Sequence, residues 1–116
     1  MTTRTASPVD ATIARLQSVA DLLAALDAAA LLAGLPPLPE PDYVATHPPG
    51  LSTVDWWADD GDPALDAVRA AVDHLEAGDW TTHWYDDKPG GHRWIATRVI
   101  DGVTVTLAAN VPAVTP

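Results

Sequence analysis

The chain has no cysteine. A disulfide framework, thiolate catalysis and zinc–thiolate sites are therefore excluded, and a reducing cytoplasm is the natural setting. Phenylalanine is also absent, and lysine occurs once, at Lys88. No apolar run is long enough to cross a bilayer: the longest apolar region carries Asp10, Arg15, Asp21 and Asp27. No apolar signal core directly follows Arg4. A cytoplasmic location is expected. Catalytic signatures are missing as well. There is no Gly-x-Ser-x-Gly elbow and no glycine-rich phosphate loop opening a helix.

Acid is plentiful. The net charge is −10, from 16 acids against six lysines and arginines in 116 residues. It is unevenly placed, at about −2 over residues 1–41, −10 over 42–87 and +2 over 88–116. An acidic middle repels phosphate, so direct binding of nucleic acid or an anionic membrane is not expected.

The chain is organised around residues 80–111, which read as a three-stranded antiparallel meander. Asp101-Gly102 lies between two β-rich runs, and a two-residue type I′ turn needs positive φ at both positions. That turn fixes the register. Ile100 faces Val103, Arg98 faces Val105, Ala96 faces Leu107 and Trp94 faces Ala109, all on one face. The other face is half polar and suits water: Ile95 with Ala108, Thr97 with Thr106, Val99 with Thr104. A third strand, Trp80 to Tyr85, precedes this hairpin across a Pro89-Gly90 turn. The pattern leaves open which of its alternate sets faces the core, though bulk favours Trp80 and Trp84. Arg98 is the one charge on the apolar face. It must reach water along its stem or meet a carboxylate, with Asp66 and Asp73 as candidates.

Upstream, residues 1–6 read as a disordered arm. Ser7-Pro8-Val9-Asp10 forms a capping box opening a helix that should stop at Gly34. Val9, Ile13, Leu16, Val19, Leu23 and Leu26 make its stripe. Beyond Leu22 the helix is apolar nearly all round. It packs on the sheet or forms a homodimer through that half. Residues 35–41 hold four prolines and form a strap. A hairpin around Pro49-Gly50 follows, then a second helix from Asp62-Pro63, with Leu65, Val68, Val72 and Leu75 inward and Gly78 at its end. Asp66, Arg69 and Asp73 should make weak pairs on its solvent side. The architecture is thus α+β, in the order α-ββ-α-βββ. It is a single domain over 7–111, with helices mainly on one face of an antiparallel sheet and a C-terminal tail at 112–116.

Two candidate sites emerge. Trp56 and Trp57 are adjacent on a strand and must point to opposite sides. One of them, with Asp55, Asp59 and Asp60, is a candidate partner-binding anchor, because tryptophan is enriched at binding hot spots. The aspartates do not have the spacing of a calcium loop. His83 and His92, with Asp86 and Asp87, could form a metal or acid–base site across the turn between their strands. No catalytic residue and no cofactor is assigned.

The Pro-rich link at 35–41, the Pro48-Pro49-Gly50 turn and the closing Asp101-Gly102 hairpin give the chain a layout that resembles small uncharacterised actinobacterial and actinophage α+β proteins. The resemblance implies an origin, not an activity. Three functional readings follow. The first is a non-enzymatic protein-binding or accessory protein, of phage or mobile-element type, with a protein partner. The second is an acidic inhibitor that mimics nucleic acid and occupies a host enzyme's basic groove. The third is a small metal-dependent module using the histidines and aspartates.

Overall fold

The computed structural model describes residues 7–47, 50–88 and 91–112. The elements are α1 (Pro8–Leu32), β1 (Tyr43–His47), β2 (Leu51–Asp59), α2 (Pro63–Leu75), β3 (Thr81–Lys88), β4 (Gly91–Ile100) and β5 (Val103–Pro112). Among the described residues the fold is α+β, with two helices and one five-stranded sheet in the order β1-β2-β5-β4-β3. The expected arm at 1–6 and most of the tail lie outside the described residues, as do Pro49 and the Pro89-Gly90 pair.

The sheet is mixed, which corrects the expected all-antiparallel arrangement. β2 runs parallel to β5, while the other neighbouring pairs are antiparallel. The physical reason lies in connectivity. Between β2 and β5 the chain passes through α2, and a crossover of that length permits parallel pairing. The meander is consequently one flank of a larger sheet. Its hairpin has the register expected from Asp101-Gly102, with Ile100 opposite Val103 and Trp94 opposite Ala109. Asp101 and Gly102 both have positive φ, at 50° and 79°, as the turn demands.

Local signals set the helix ends. Ser7 Oγ accepts the Asp10 N–H, and the Asp10 carboxylate accepts the Ser7 N–H. At the other end, Gly34 (φ 70°) donates to the Leu31 carbonyl, and Leu35 donates to that of Ala30. These two bonds make a Schellman ending. Such caps contribute about 1 kcal/mol each. Burying one Leu or Ile contributes roughly 1.5–3 kcal/mol, so packing dominates. The core gathers Leu22 and Leu26 of α1, Leu65, Val68 and Val72 of α2, and Val54, Trp56, Ala96, Ile100, Val105 and Leu107 of the sheet.

The stripe expected on α1 is only half used. Val9, Ile13 and Leu16 are exposed, and burial begins at Val19. Before that point the helix meets β1 through a polar contact, Arg15 Nε to Thr46 Oγ1 at 2.5 Å. In the apolar second half, Leu22, Leu26, Ala29 and Ala30 are buried within the chain, while Leu31 and Leu32 project.

Arg98 is buried at 7% exposure and meets Asp73, not Asp66. Its Nη1 donates to Asp73 Oδ1 at 3.1 Å, and its Nη2 donates to the Glu76 carbonyl. Trp80 Nε1 donates to the same Asp73 oxygen at 2.9 Å, and its ring lies 5.5 Å from the Arg69 guanidinium. Asp73 is therefore no weak surface partner of α2. It ties that helix to β4 and to the segment entering β3. The helix itself ends at Leu75, three residues before Gly78. Gly78 has a different duty: a Cβ there would sit 2.6 Å from Arg98 Nη2.

Two substitutions test this junction. Arg98→Leu should destabilise the protein by about 2 kcal/mol, since it leaves the Glu76 carbonyl and the Asp73 carboxylate short of a donor. Gly78→Ala should destabilise too, by displacing the guanidinium. Its cost should largely vanish in the Arg98→Leu background. Denaturant midpoints of the four proteins measure this coupling; additive losses would mean that Gly78 does not act through Arg98.

Candidate functional site

Side chains alternate along every strand, so the sheet has two faces. The helices cover the face bearing Val54, Trp56, Ala96, Arg98, Val105 and Leu107. The opposite face carries Thr53, Asp55 and Trp57 of β2, Thr104, Thr106 and Ala108 of β5, and Arg93, Ile95 and Thr97 of β4. Tyr43 of β1 and His83 and Tyr85 of β3 flank them, as the strand registers require. Neither helix packs on this face.

The face is hollow along its middle. Asp55, Trp57, Arg93, Ile95, Thr106, Ala108 and Asn110 line a concavity of about 320 Å³. Its cause is a contrast in size. The central strand β5 presents only small side chains there, whereas β2 presents Trp57 and β4 presents Ile95 and Arg93. Register aligns these in rows: Trp57 beside Ala108 beside Ile95, and Asp59 beside Asn110 beside Arg93. The walls stand two strands apart, roughly 10 Å.

The wall on β2 is aromatic. Trp57 is 50% exposed and stacks on Tyr43, with ring centroids 6.0 Å apart and planes 17° from parallel. Tyr43 is paired with Asp55, so Trp57 is its diagonal neighbour, a separation that two aromatic rings can bridge. Asp42 holds this corner. Its carboxylate accepts the Trp57 backbone N–H at 2.7 Å, and its own N–H donates to the Asp55 carbonyl. The strap before it ends in Pro41, so a side chain does what a longer β1 would have done. On the far wall the Arg93 guanidinium lies 5.9 Å from the Tyr85 ring.

The candidates from sequence fall out as follows. Trp56 and Trp57 separate, as adjacent strand residues must. Trp56 is 2% exposed in the core, and its Nε1 donates to the Pro39 carbonyl at 2.9 Å. Trp57 alone of the pair reaches the open face. Asp55 lies beside it and accepts from Thr53 Oγ1 at 2.5 Å. Asp59 is exposed at the end of the same strand face. Asp60 is turned elsewhere and accepts the Trp94 indole N–H at 2.9 Å.

His83 lies on the open face, with its ring 6.4 Å from that of Tyr85. It pairs with Ile95, so His92, three residues earlier on β4, points to the opposite face. The side chains of Asp86 and Asp87 lie outside the described residues. Among the described residues, no group of three His, Asp or Glu side chains converges to hold a metal ion.

Tyr43, Arg93, Ile95, Thr106, Ala108 and Asn110 were not sequence candidates. The hairpin register did put Ile95, Thr97, Thr106 and Ala108 on one face. Only the parallel β2–β5 pairing brings Trp57 to them. On the covered face, Trp84 shares the side of Trp94 as bulk suggested, yet it lies past the helices at 66% exposure.

No family model matches the chain, and no curated protein or solved structure is significantly similar to it. No helix among the described residues is long and apolar enough to cross a membrane.

The two neighbouring tryptophans should respond oppositely to mutation. Trp56→Phe should cost about 1–3 kcal/mol, through lost volume and the stranded Pro39 carbonyl. Trp57→Ala should cost less than about 1 kcal/mol. Thermal or denaturant unfolding distinguishes the two; a larger loss at Trp57 would make it a core residue.

Proposed function

We propose that this chain is a non-enzymatic binding protein that captures a protein partner on the open face of its sheet. The observation that carries this is the Tyr43–Trp57 pair, two stacked and half-exposed rings of which Trp57 lines a hollow that no described element fills. Exposed aromatic side chains beside a depression are the usual anchors of protein interfaces. Its origin in an actinobacterium or its phage, and a cytoplasmic setting, belong to the same proposal.

The other readings have less behind them. A nucleic-acid mimic needs carboxylates in rows at phosphate-like spacing. Among the acids of residues 42–87, Asp62 caps α2, Asp60 holds Trp94 and Asp73 holds Arg98. A metal module needs His83 and His92 together, and they sit on opposite faces. A homodimer through α1 would draw on Leu31 and Leu32 at its end.

The test is capture from an actinobacterial lysate at low and high salt, with the wild-type chain and with Trp57→Ala and Tyr43→Ala variants. A stoichiometric protein partner held by the wild type and lost, at least tenfold, by both variants is expected. A partner retained by both variants would move the interface off this face.

A further inference from the structure

Resting on that reading, we infer that the partner presents a basic, extended segment, which lies along β5 in the hollow with its lysine or arginine side chains toward the β2 wall. Shape supplies the first argument. The hollow is floored by Thr106 and Ala108 of one strand and walled by the strands on either side of it, two strands apart. An extended chain fits a trough of that width, whereas a helix, about 10–12 Å across with its side chains, does not enter it.

Periodicity supplies the second. Asp55 and Trp57 line the hollow, and Asp59, at its end, projects from the same face of β2, all at two-residue intervals. An extended ligand running along the trough presents side chains with that same repeat, roughly 6.6–7 Å. Three alternate side chains of the ligand therefore meet carboxylate, ring and carboxylate in turn. A guanidinium or ammonium suits all three positions, because a cation is attracted both to a carboxylate and to the face of an aromatic ring. The stacked Tyr43 widens the ring platform.

Charge complementarity supplies the third. The chain carries −10 overall, with the excess in residues 42–87, the part that includes β2. Such a field draws basic partners and repels acidic ones. Arg93 stands on the opposite wall against Tyr85. The carboxylates of Asp55 and Asp59 on the facing strand draw the ligand's charges to the β2 side.

The probe is a synthetic (Arg-Thr)₄ peptide, with (Glu-Thr)₄ as control, titrated into the full chain and followed by amide chemical shifts and calorimetry. Binding with a dissociation constant near 100 μM or tighter is expected for the basic peptide. Shifts should concentrate on β2, β5 and β4. Trp57→Ala should weaken it about tenfold and Asp55→Asn about threefold, with both variants keeping the wild-type circular dichroism. Asp66→Asn, on α2 and away from the face, should leave it unchanged. Affinity should fall as salt rises.

Equal binding of the acidic peptide, shifts centred on the helices, or full affinity in Trp57→Ala would overturn the inference. So would no binding at millimolar peptide. If the basic peptide fails while a lysate partner still depends on Trp57, the face is an interface of different chemistry and only the present inference falls. Wild-type self-association that is lost in Trp57→Ala would assign the face to a second copy and likewise overturn the basic-ligand assignment. If neither the peptide nor any partner depends on Trp57, both readings fall together.

Discussion

The parallel pairing of β2 with β5 is the constraint on which the rest depends. It places the last strand of the chain at the centre of the sheet, between a hairpin made early and a strand made late. Pairing between elements so distant in sequence carries a large closure entropy. That cost is met by burial. The covered faces of β2 and β5 hold Val54, Trp56, Val103, Val105, Leu107 and Ala109, nearly all at or close to zero exposure. Once this pair forms, alternation along β5 sorts its large residues toward the helices and its small ones toward water. The hollow is thus the reverse side of a well-filled core.

The features legible from sequence were those governed by short-range chemistry. The capping box at Ser7, the glycine ending of α1 and the Asp101-Gly102 turn each involve a few neighbouring residues with one favourable geometry. The hairpin register followed from the turn and put Arg98 on an apolar face, where a buried cation had to find an acid. What sequence could not supply was the order of strands. Nothing in Leu51–Asp59 says which strand it will lie beside, so alternation required Trp56 and Trp57 to part but did not say which of them faces outward or walls the hollow. The same limit applied to α1. Its apolar stripe had the right period, but periodicity says which residues share a face, not how far along the helix a neighbour extends. Tyr43 carries no local sequence signal, because its place beside the hollow comes wholly from a ring on the adjacent strand.

Arg98 and Trp57 illustrate how charge is partitioned. The single buried guanidinium of the described residues lies under the helices. There it meets Asp73 and the Glu76 carbonyl and holds the C-terminal end of α2. Burying that charge is tolerable only because several acceptors and the Trp80 ring surround it. On the open face, Asp55 and Asp59 lie at the surface, where they cost little in stability and their field reaches outward. Acid on the middle segment therefore does two physically different things. Asp73 ties helix to sheet, and the acids on β2 leave their charge on the open face.

The strap joins these two sides of the molecule. Trp56 faces inward and holds the strap by the Pro39 carbonyl, while Trp57 faces outward and gives its backbone N–H to Asp42 at the end of the same strap. Four prolines between Leu35 and Pro41 keep the intervening chain stiff. The position of Asp42, and with it the angle at which Tyr43 stacks on Trp57, is consequently set by a contact in the core. The dipeptide Trp56-Trp57 owes its adjacency to this arrangement. One indole fixes the strap, the next uses the corner that the strap creates, and a strand is the local structure that lets two neighbouring residues do both at once.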